Sequence, residues 1–462
     1  MRVVAIRNDA TCDGNGEPID VSAMLSVADE DESVLVHDAD AVLHFETIGD
    51  IAGRLVDGIE VVVGSWTFDD PDHGVVRRRG VLSTERVRWT NTAGPALLVR
   101  VGALRRSGWG SDGHTTLADL VLRLSEIIGA TRAIASVESV LAHVDAELDA
   151  ATNDHDLVAA VERHLARSGI EATVVPGEHA VDTVVVERVV PEGLTISVVV
   201  PTTGKMTDVR GAPGRLVVNL LDSMFAVTDL PRTCFDIVLV IGPEADADLV
   251  GILDERYGAG AVRFVRSNEP FCHSRRTNLG VLASSADVVV LLNDDTEVVS
   301  PGWLGQIAAA ATEPGVGLVG PLLRYPDGTV QSAGHVHPPI NIGERSVRVP
   351  PCQASTMLLG RDVSGVTLAC AAVVRKHYLR AGGLSQRIHN GYNDVDLGMK
   401  LERLGLRHVS LGHVELIHLE TATREPGVRG FERAVLEQRW ASSMATERLH
   451  FTDRISGGDV DE

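Results

Sequence analysis

Aromatic residues are scarce in this chain, at 4% of 462 residues, and the five cysteines are scattered. Cys12, Cys234, Cys272, Cys352 and Cys370 show no paired metal-ligand spacing. That argues against a disulfide-stapled scaffold and a zinc ribbon, and leads us to expect reduced thiols in a cytoplasmic protein. No apolar run approaches the length of a membrane span. MRVVAIRNDATCDG has no cationic stretch followed by a long apolar core, so no signal peptide is expected. Positive charge is also in deficit: the formal net charge is −22. A polyanion is repelled by phosphate backbones, which excludes nucleic acid as a partner.

What is present is 44% hydrophobic residues and 45 glycines, in a chain long enough for two domains. From Leu194 onward the pattern alternates. LTISVVVPTTG reads as a buried strand, and Leu216, Leu220, Leu221 and Met224 follow at helical spacing. FDIVLVIG, AVRFVR and DVVVLLN are further strands, separated by the helical stretches ADLVGILDERYG and TNLGVLASS. Such alternation predicts an α/β fold with a mostly parallel, mixed sheet, and ligands at the carboxyl ends of its strands. Asp294 and Asp295 fall at such an end. The acidic segment GYNDVDLGMKLERLG carries Asp394 and Asp396 into a helix whose apolar stripe is Leu397, Leu401 and Leu404. Both aspartates would lie at its positive amino end, Asp396 as a cap.

The first 150 residues echo the second half. GPALLVRVGALRRSGW parallels ACAAVVRKHYLRAGGL, ADLVLRLSE parallels VDLGMKLER, and SVLAHVDAE parallels ELIHLETAT. VLVHDADAVL answers LLNDDTEVV. In this register His143 stands opposite His418, and Leu117 opposite Asp394. Too few residues precede the amino-terminal aspartates to build nucleotide-holding strands. The expected layout is a truncated, degenerate α/β copy over 1–150, a connector over 151–193, a working domain over 194–425 and a helical tail over 426–462.

Six segments in order carry a wider likeness: VVVPT, EPFCHSRRTNLG, LLNDDTEVVSPGWL, PGVGLVGPLLRYPDGTVQSAG, GYNDVDLGMKLERLG and IHLETATRE. RHLARSGIEATVVPG in the connector and QRW in the tail extend it. On these residues the chain resembles family 2 of the inverting, nucleotide-sugar-dependent glycosyltransferases, which have the GT-A fold. It is most similar to a bacterial group with a degenerate first copy. The resemblance implies Asp394 as general base, Asp295 and His418 as ligands of Mn²⁺ or Mg²⁺, and Asp294 near the ribose or a metal-bound water. It further implies nucleotide-sugar contacts from Thr202, Arg276, Asn278 and Arg424. The donor would be a uridine or deoxythymidine diphosphate sugar. The acceptor would be a glycan or lipid-linked hydroxyl of a growing surface polysaccharide, reached from the cytoplasm or peripherally at the inner membrane face.

Three positions depart from the family pattern. Gly242 and Pro243 stand where an aspartate usually reads the base, Leu368 replaces a small residue, and Ile417-His418 keeps one histidine of a usual pair. Trp303 reads as core, and His335 and His337 as a flexible acceptor-side loop rather than a metal clip. Two other readings stay open on sequence: a non-catalytic scaffold of a glycan assembly complex, and a sugar-phosphate nucleotidyltransferase, for which PTTGK is a weak phosphate loop.

Overall fold

Buried runs of valine and leucine build the frame of this protein, seen in a computed structural model. It describes residues 2–7, 10–13, 18–52, 55, 58–70, 74–79, 83–90, 93–128, 134–145, 154–177, 183–337, 340–341, 358–389, 391–419, 430–444 and 454–455. Two compact units divide the chain. One comprises residues 1–187, 350–359 and 450–462, the other 188–349 and 360–449.

The first unit contains β1 (Arg2–Arg7), β2 (Ala10–Asp13), α1 (Val21–Val27), β3 (Ser33–Asp38), β4 (Val42–Leu43), α2 (Phe45–Ala52), β5 (Val61–Asp70) and β6 (Gly74–Arg79). It continues through β7 (Ala96–Arg100), α3 (Val101–Ser107), α4 (Leu117–Ile128), β8 (Ile134–Val144), α5 (Asp154–Arg167), β9 (Ala172–Pro176) and β10 (Val184–Arg188). Its main sheet runs β2-β1-β3-β7-β5-β6, with β8 on β5 and β4 on β8. Pairing is parallel for β1–β3 and β5–β8, and antiparallel for β3–β7, β5–β7 and β4–β8. Residues 154–177 and 183–187 fall within this unit. His164 of α5 is buried between Arg88, whose Nε donates to His164 Nε2 at 3.0 Å, and Glu126.

The second unit begins with β11 (Ile196–Pro201), the hairpin β12 (Thr207–Val209) and β13 (Ala212–Gly214), α6 (Leu216–Val227), β14 (Phe235–Ile241), α7 (Leu249–Tyr257) and β15 (Arg263–Arg266). Then come α8 (His273–Ala283), β16 (Val288–Leu292), β17 (Thr296–Val298), α9 (Trp303–Thr312), β18 (Val316–Arg324), β19 (Val330–Ser332), β20 (His335–Val336) and β21 (Ile340–Asn341). It closes with β22 (Arg361–Val363), β23 (Cys370–Val374), α10 (Arg375–Arg380), α11 (Asn393–Glu402), β24 (Arg407–His418) and α12 (Gly430–Met444). The sheet order is β15-β14-β11-β16-β23-β18-β24-β17, with β19 on β18 and β22 on β24. The first four strands are mutually parallel, β23 reverses, and β18 lies parallel to β24. The result is the expected α/β arrangement, a mixed sheet flanked by helices. Both faces are covered, so β16 reads as five consecutive buried residues instead of an alternating pattern.

The two sheets share an order and sense of pairing: β1-β3-β7-β5-β8-β4 runs as β11-β16-β23-β18-β24-β17 does. Gly108 after α3 and Gly383 after α10, aligned by the sequence echo, both take left-handed backbone, with φ of 63° and 64°. They diverge at the edge. β11 is flanked by the parallel strands β14 and β15, whereas β1 is flanked by the antiparallel β2.

Several expectations change. α8 starts at His273, so HSRR is its first turn rather than a preceding loop. Leu404 lies beyond α11 and is exposed, leaving Leu397 and Leu401 as the buried stripe. His335 and His337, expected in a flexible acceptor-side loop, are buried: His335 lies in β20, and its amide donates to Gly365 O at 2.8 Å. Trp303 is buried, with Nε1–H donated to Thr228 Oγ1 at 2.9 Å, as its core reading required.

Candidate active site

β16 delivers Asn293, Asp294 and Asp295 to its carboxyl end, and the antiparallel pairing of β17 with β24 sets Thr296 opposite His418. The Leu419 amide donates to the Asp295 carbonyl at 2.9 Å, carrying the ladder one residue further. Residues separated by 123 positions are thereby joined, and His418 Nε2 lies 3.1 Å from Asp295 Oδ1. The other ring nitrogen of His418 is 2.6 Å from Gln331 Oε1. An amide oxygen only accepts, so Nδ1 carries the proton, and in the neutral ring the Nε2 lone pair faces the carboxylate. Two acceptors opposed at that distance require positive charge between them, supplied by a ring proton or a cation.

Asp294 lies beneath this pair. Thr202 Oγ1 donates to Asp294 Oδ2 at 2.5 Å, and the Gly204 amide donates to Thr202 Oγ1 at 2.9 Å. Burial, and then the negative charge of Asp295, push the Asp294 carboxyl up to about 7. A bound divalent cation would reverse that balance. Among the described residues no three His, Cys, Asp or Glu side chains form a preformed metal cage. The Asp295 carboxylate and the His418 imidazole are donor types that Mn²⁺ accepts, and Gln331 supplies an outer hydrogen bond to the histidine.

The third group is Asp394, the second residue of α11, where the helix dipole favours a negative charge. The preceding Tyr392 has φ 59°, a left-handed conformation that turns the chain into the helix. Asp394 is tied to the aspartate pair through a side chain that sequence reasoning missed. Asn393 Nδ2 donates to His273 Nδ1 at 3.0 Å, and His273 Nε2 is 3.1 Å from Asn293 Oδ1. Because Nδ1 accepts, Nε2 carries the proton and donates to Asn293. One buried imidazole thus links the residue before Asp294 to the residue before Asp394. Its place in CHSRR, at the amino end of a helix following a strand, was the only available signal.

The remaining candidates take other roles. Arg276 is wholly buried: its Nη1 donates to Thr202 O at 2.8 Å, it ion-pairs with Glu244, and it sits 4.6 Å from the Phe271 ring. It braces the segments that carry Thr202, Glu244 and Phe271. A Cβ at Gly242 would stand 1.9 Å from Arg276 Nη2. Asn278 has both ends of its amide engaged: Nδ2–H with Leu384 O at 2.9 Å, and Oδ1 with the Tyr378 hydroxyl at 2.6 Å and the Leu384 amide at 2.9 Å. That makes it a tie between α8 and the turn after α10. Arg424 lies outside the described residues. Asp396, read as a cap, is instead a buried ion-pair centre touching Lys400, Arg439 and Trp440.

No family model matches the chain. Over 348 residues it is 32% identical to the O-antigen biosynthesis protein RfbC of Myxococcus xanthus, covering 71% of this chain and 25% of that protein. Over 219 residues it is 31% identical to the uncharacterized protein y4gI of Sinorhizobium fredii (strain NBRC 101917 / NGR234), covering 45% of this chain and 24% of that one. The chain therefore spans about a quarter of the length of these curated relatives. Among solved structures it is similar to the mannosyltransferase PcManGT from Pyrobaculum calidifontis in complex with GDP-Man and Mn²⁺. There the TM-score is 0.38 and the identity 18%, over 55% of this chain and 65% of that one. GalNAc-T7 with UDP, GalNAc and Mn²⁺ gives a TM-score of 0.40 at 16% identity, over 54% and 48% of the two chains. No helix among the described residues is long and apolar enough to cross a membrane.

Proposed function

We propose that the carboxyl-terminal unit is an inverting glycosyltransferase of family 2. It would move a sugar from a nucleotide diphosphate sugar to a hydroxyl of a growing surface polysaccharide or glycoconjugate. The observation that carries this reading is the meeting of Asp295 with His418 at one end of the sheet, joined through Asn293, His273 and Asn393 to Asp394. The similarity to a protein named for O-antigen biosynthesis supports the polysaccharide context.

In this mechanism Asp394 accepts the proton of the acceptor hydroxyl as that oxygen attacks the anomeric carbon. The nucleoside diphosphate departs from the opposite face, so a single displacement inverts the configuration. Its place in the first turn of α11 favours the anionic form that a proton acceptor needs. Asp295 and His418 would hold Mn²⁺ or Mg²⁺, whose charge offsets that developing on the leaving diphosphate. Thr202 and Asp294 form the floor beneath that site, and the Arg276–Glu244 brace fixes the loops on which the nucleoside rests. A uridine or deoxythymidine donor is carried over from the family resemblance, as is an acceptor that is free glycan or lipid-linked at the cytoplasmic membrane face.

The amino-terminal unit is read as a degenerate copy, supported by the common order and sense of the two sheets. Leu117 occupies the base position at the start of α4, so this unit is assigned a scaffold role and no transfer. The test is a panel of nucleotide sugars incubated with the purified chain and Mn²⁺. Donor-specific release of nucleoside diphosphate, abolished by chelation, is the expected result. Release of pyrophosphate from a nucleoside triphosphate would overturn the assignment in favour of nucleotidyl transfer.

A further inference from the structure

We infer that Asp396 is a positioning residue: it latches α12 to α11 and so holds in place the helix end bearing Asp394, an inference that rests on the reading of Asp394 as base. Asp396 is fully buried. It meets Lys400 Nζ at 2.7 Å, Arg439 Nη1 at 2.9 Å and Trp440 Nε1 at 3.0 Å. Burial opposes its ionisation, but the bonds from Lys400, Trp440 and Arg439 outweigh it and hold the carboxyl below the usual range. The latch is reinforced by apolar packing of Val395 and Met399 on Leu436 and Trp440, and by the Arg403 guanidinium 4.4 Å from the Trp440 ring.

α12 also grips the segment leading into the base. Glu432 Oε1 accepts the His389 amide at 2.7 Å, and the Ile388 carbonyl accepts from Ser274 Oγ at 2.6 Å. Ser274 adjoins His273, which holds Asn393. One circuit therefore runs from Asp396 through α12, residues 388–389 and α8 back to the residue beside Asp394.

The amino-terminal unit provides an internal comparison. At the matching place in α4, Asp119 is buried, pairs with Arg123 four residues on at 2.5 Å, and faces Arg163 and Arg167 of α5, each at 3.5 Å. Asp396 likewise pairs with Lys400 four residues on and faces the helix that follows in its own unit. The latch recurs where Leu117 stands at the base position. An acid that persists where no proton can be taken serves docking.

The test uses the full chain with Asp396→Asn, Arg439→Met and Trp440→Phe, read by steady-state kinetics with nucleotide sugar and by hydrogen exchange over residues 388–397. We expect all three to lower kcat by about 10- to 100-fold with donor KM nearly unchanged, because the base is displaced while donor contacts persist. Exchange over that segment should rise in each. Wild-type kcat in Arg439→Met and Trp440→Phe, with Asp396→Asn inactive, would overturn the inference and make Asp396 a reacting carboxylate. Unchanged exchange in all three would remove the latch itself. A wild-type protein that consumes no nucleotide sugar would defeat the base assignment instead, and the exchange result would still decide whether the latch exists.

Discussion

Asn393 donates to the same imidazole that His273 uses to hold Asn293, so two residues flanking the candidate chemistry share one buried ring. Replacing His273 with Phe preserves bulk and removes both bonds. Each asparagine is then left with an unsatisfied group, at about 1–3 kcal/mol apiece when buried. We expect kcat to fall on the order of 10- to 100-fold and the melting temperature to drop by several degrees, measured by donor turnover and thermal unfolding. A variant with normal kcat would show that the link does not set the spacing between Asp394 and the aspartate pair.

Asp394→Asn retains shape and loses the proton-accepting charge. Transfer should fall by about 10²-fold or more, the range for loss of a general base. Mn²⁺-dependent nucleotide binding, followed by calorimetry, should remain within a few-fold of wild type, because Asp394 holds neither cation nor nucleotide in the proposed mechanism. Asp295→Asn should behave oppositely, losing nucleotide binding together with Mn²⁺ dependence. If both variants lost binding equally, the division of labour between them would be wrong.

The sheet was legible because both its faces are covered, making β11, β14 and β16 near-continuous apolar runs. Asp294 and Asp295 were legible because a carboxylate pair ending such a run stands where sheet topology puts ligands. Asp396 was misread because a cap and a buried anchor occupy the same place near a helix start. Its distinguishing partner, Arg439, lies 43 residues away. The burial of Arg276 was not legible because it depends on Glu244, Thr202 and Phe271, from separate loops.

Gln331 holds the proton-bearing nitrogen of His418 at 2.6 Å and so presents the other nitrogen to Asp295. Gln331→Leu keeps similar volume and frees the ring to turn or change tautomer. Loss of such an outer hydrogen bond typically weakens metal affinity 10- to 100-fold. The expected outcome is a rise of that size in the Mn²⁺ concentration needed for half-maximal turnover, with kcat recovering at saturating metal. An unaltered metal titration would remove His418 from the proposed cation site.

His408 joins the sheet to the helix that carries Asp394: its Nδ1 accepts the Leu318 amide at 3.0 Å and its Nε2 donates to Gly398 O at 3.0 Å. The Leu318 bond requires an unprotonated Nδ1, whereas the Gly398 bond survives protonation; burial is the main force lowering the pKa from 6.5 to about 4. Between those values the unfolded chain binds the extra proton and the folded one does not. The stability that His408 contributes is therefore complete above pH 6.5 and is lost as pH falls toward 4, by about 3 kcal/mol over the window. Urea unfolding at pH 7.5 and pH 5 should show wild type losing stability on acidification faster than His408→Gln, so the gap between them narrows. Parallel losses in the two proteins would mean that this histidine is not the acid-sensitive contact between β18 and α11.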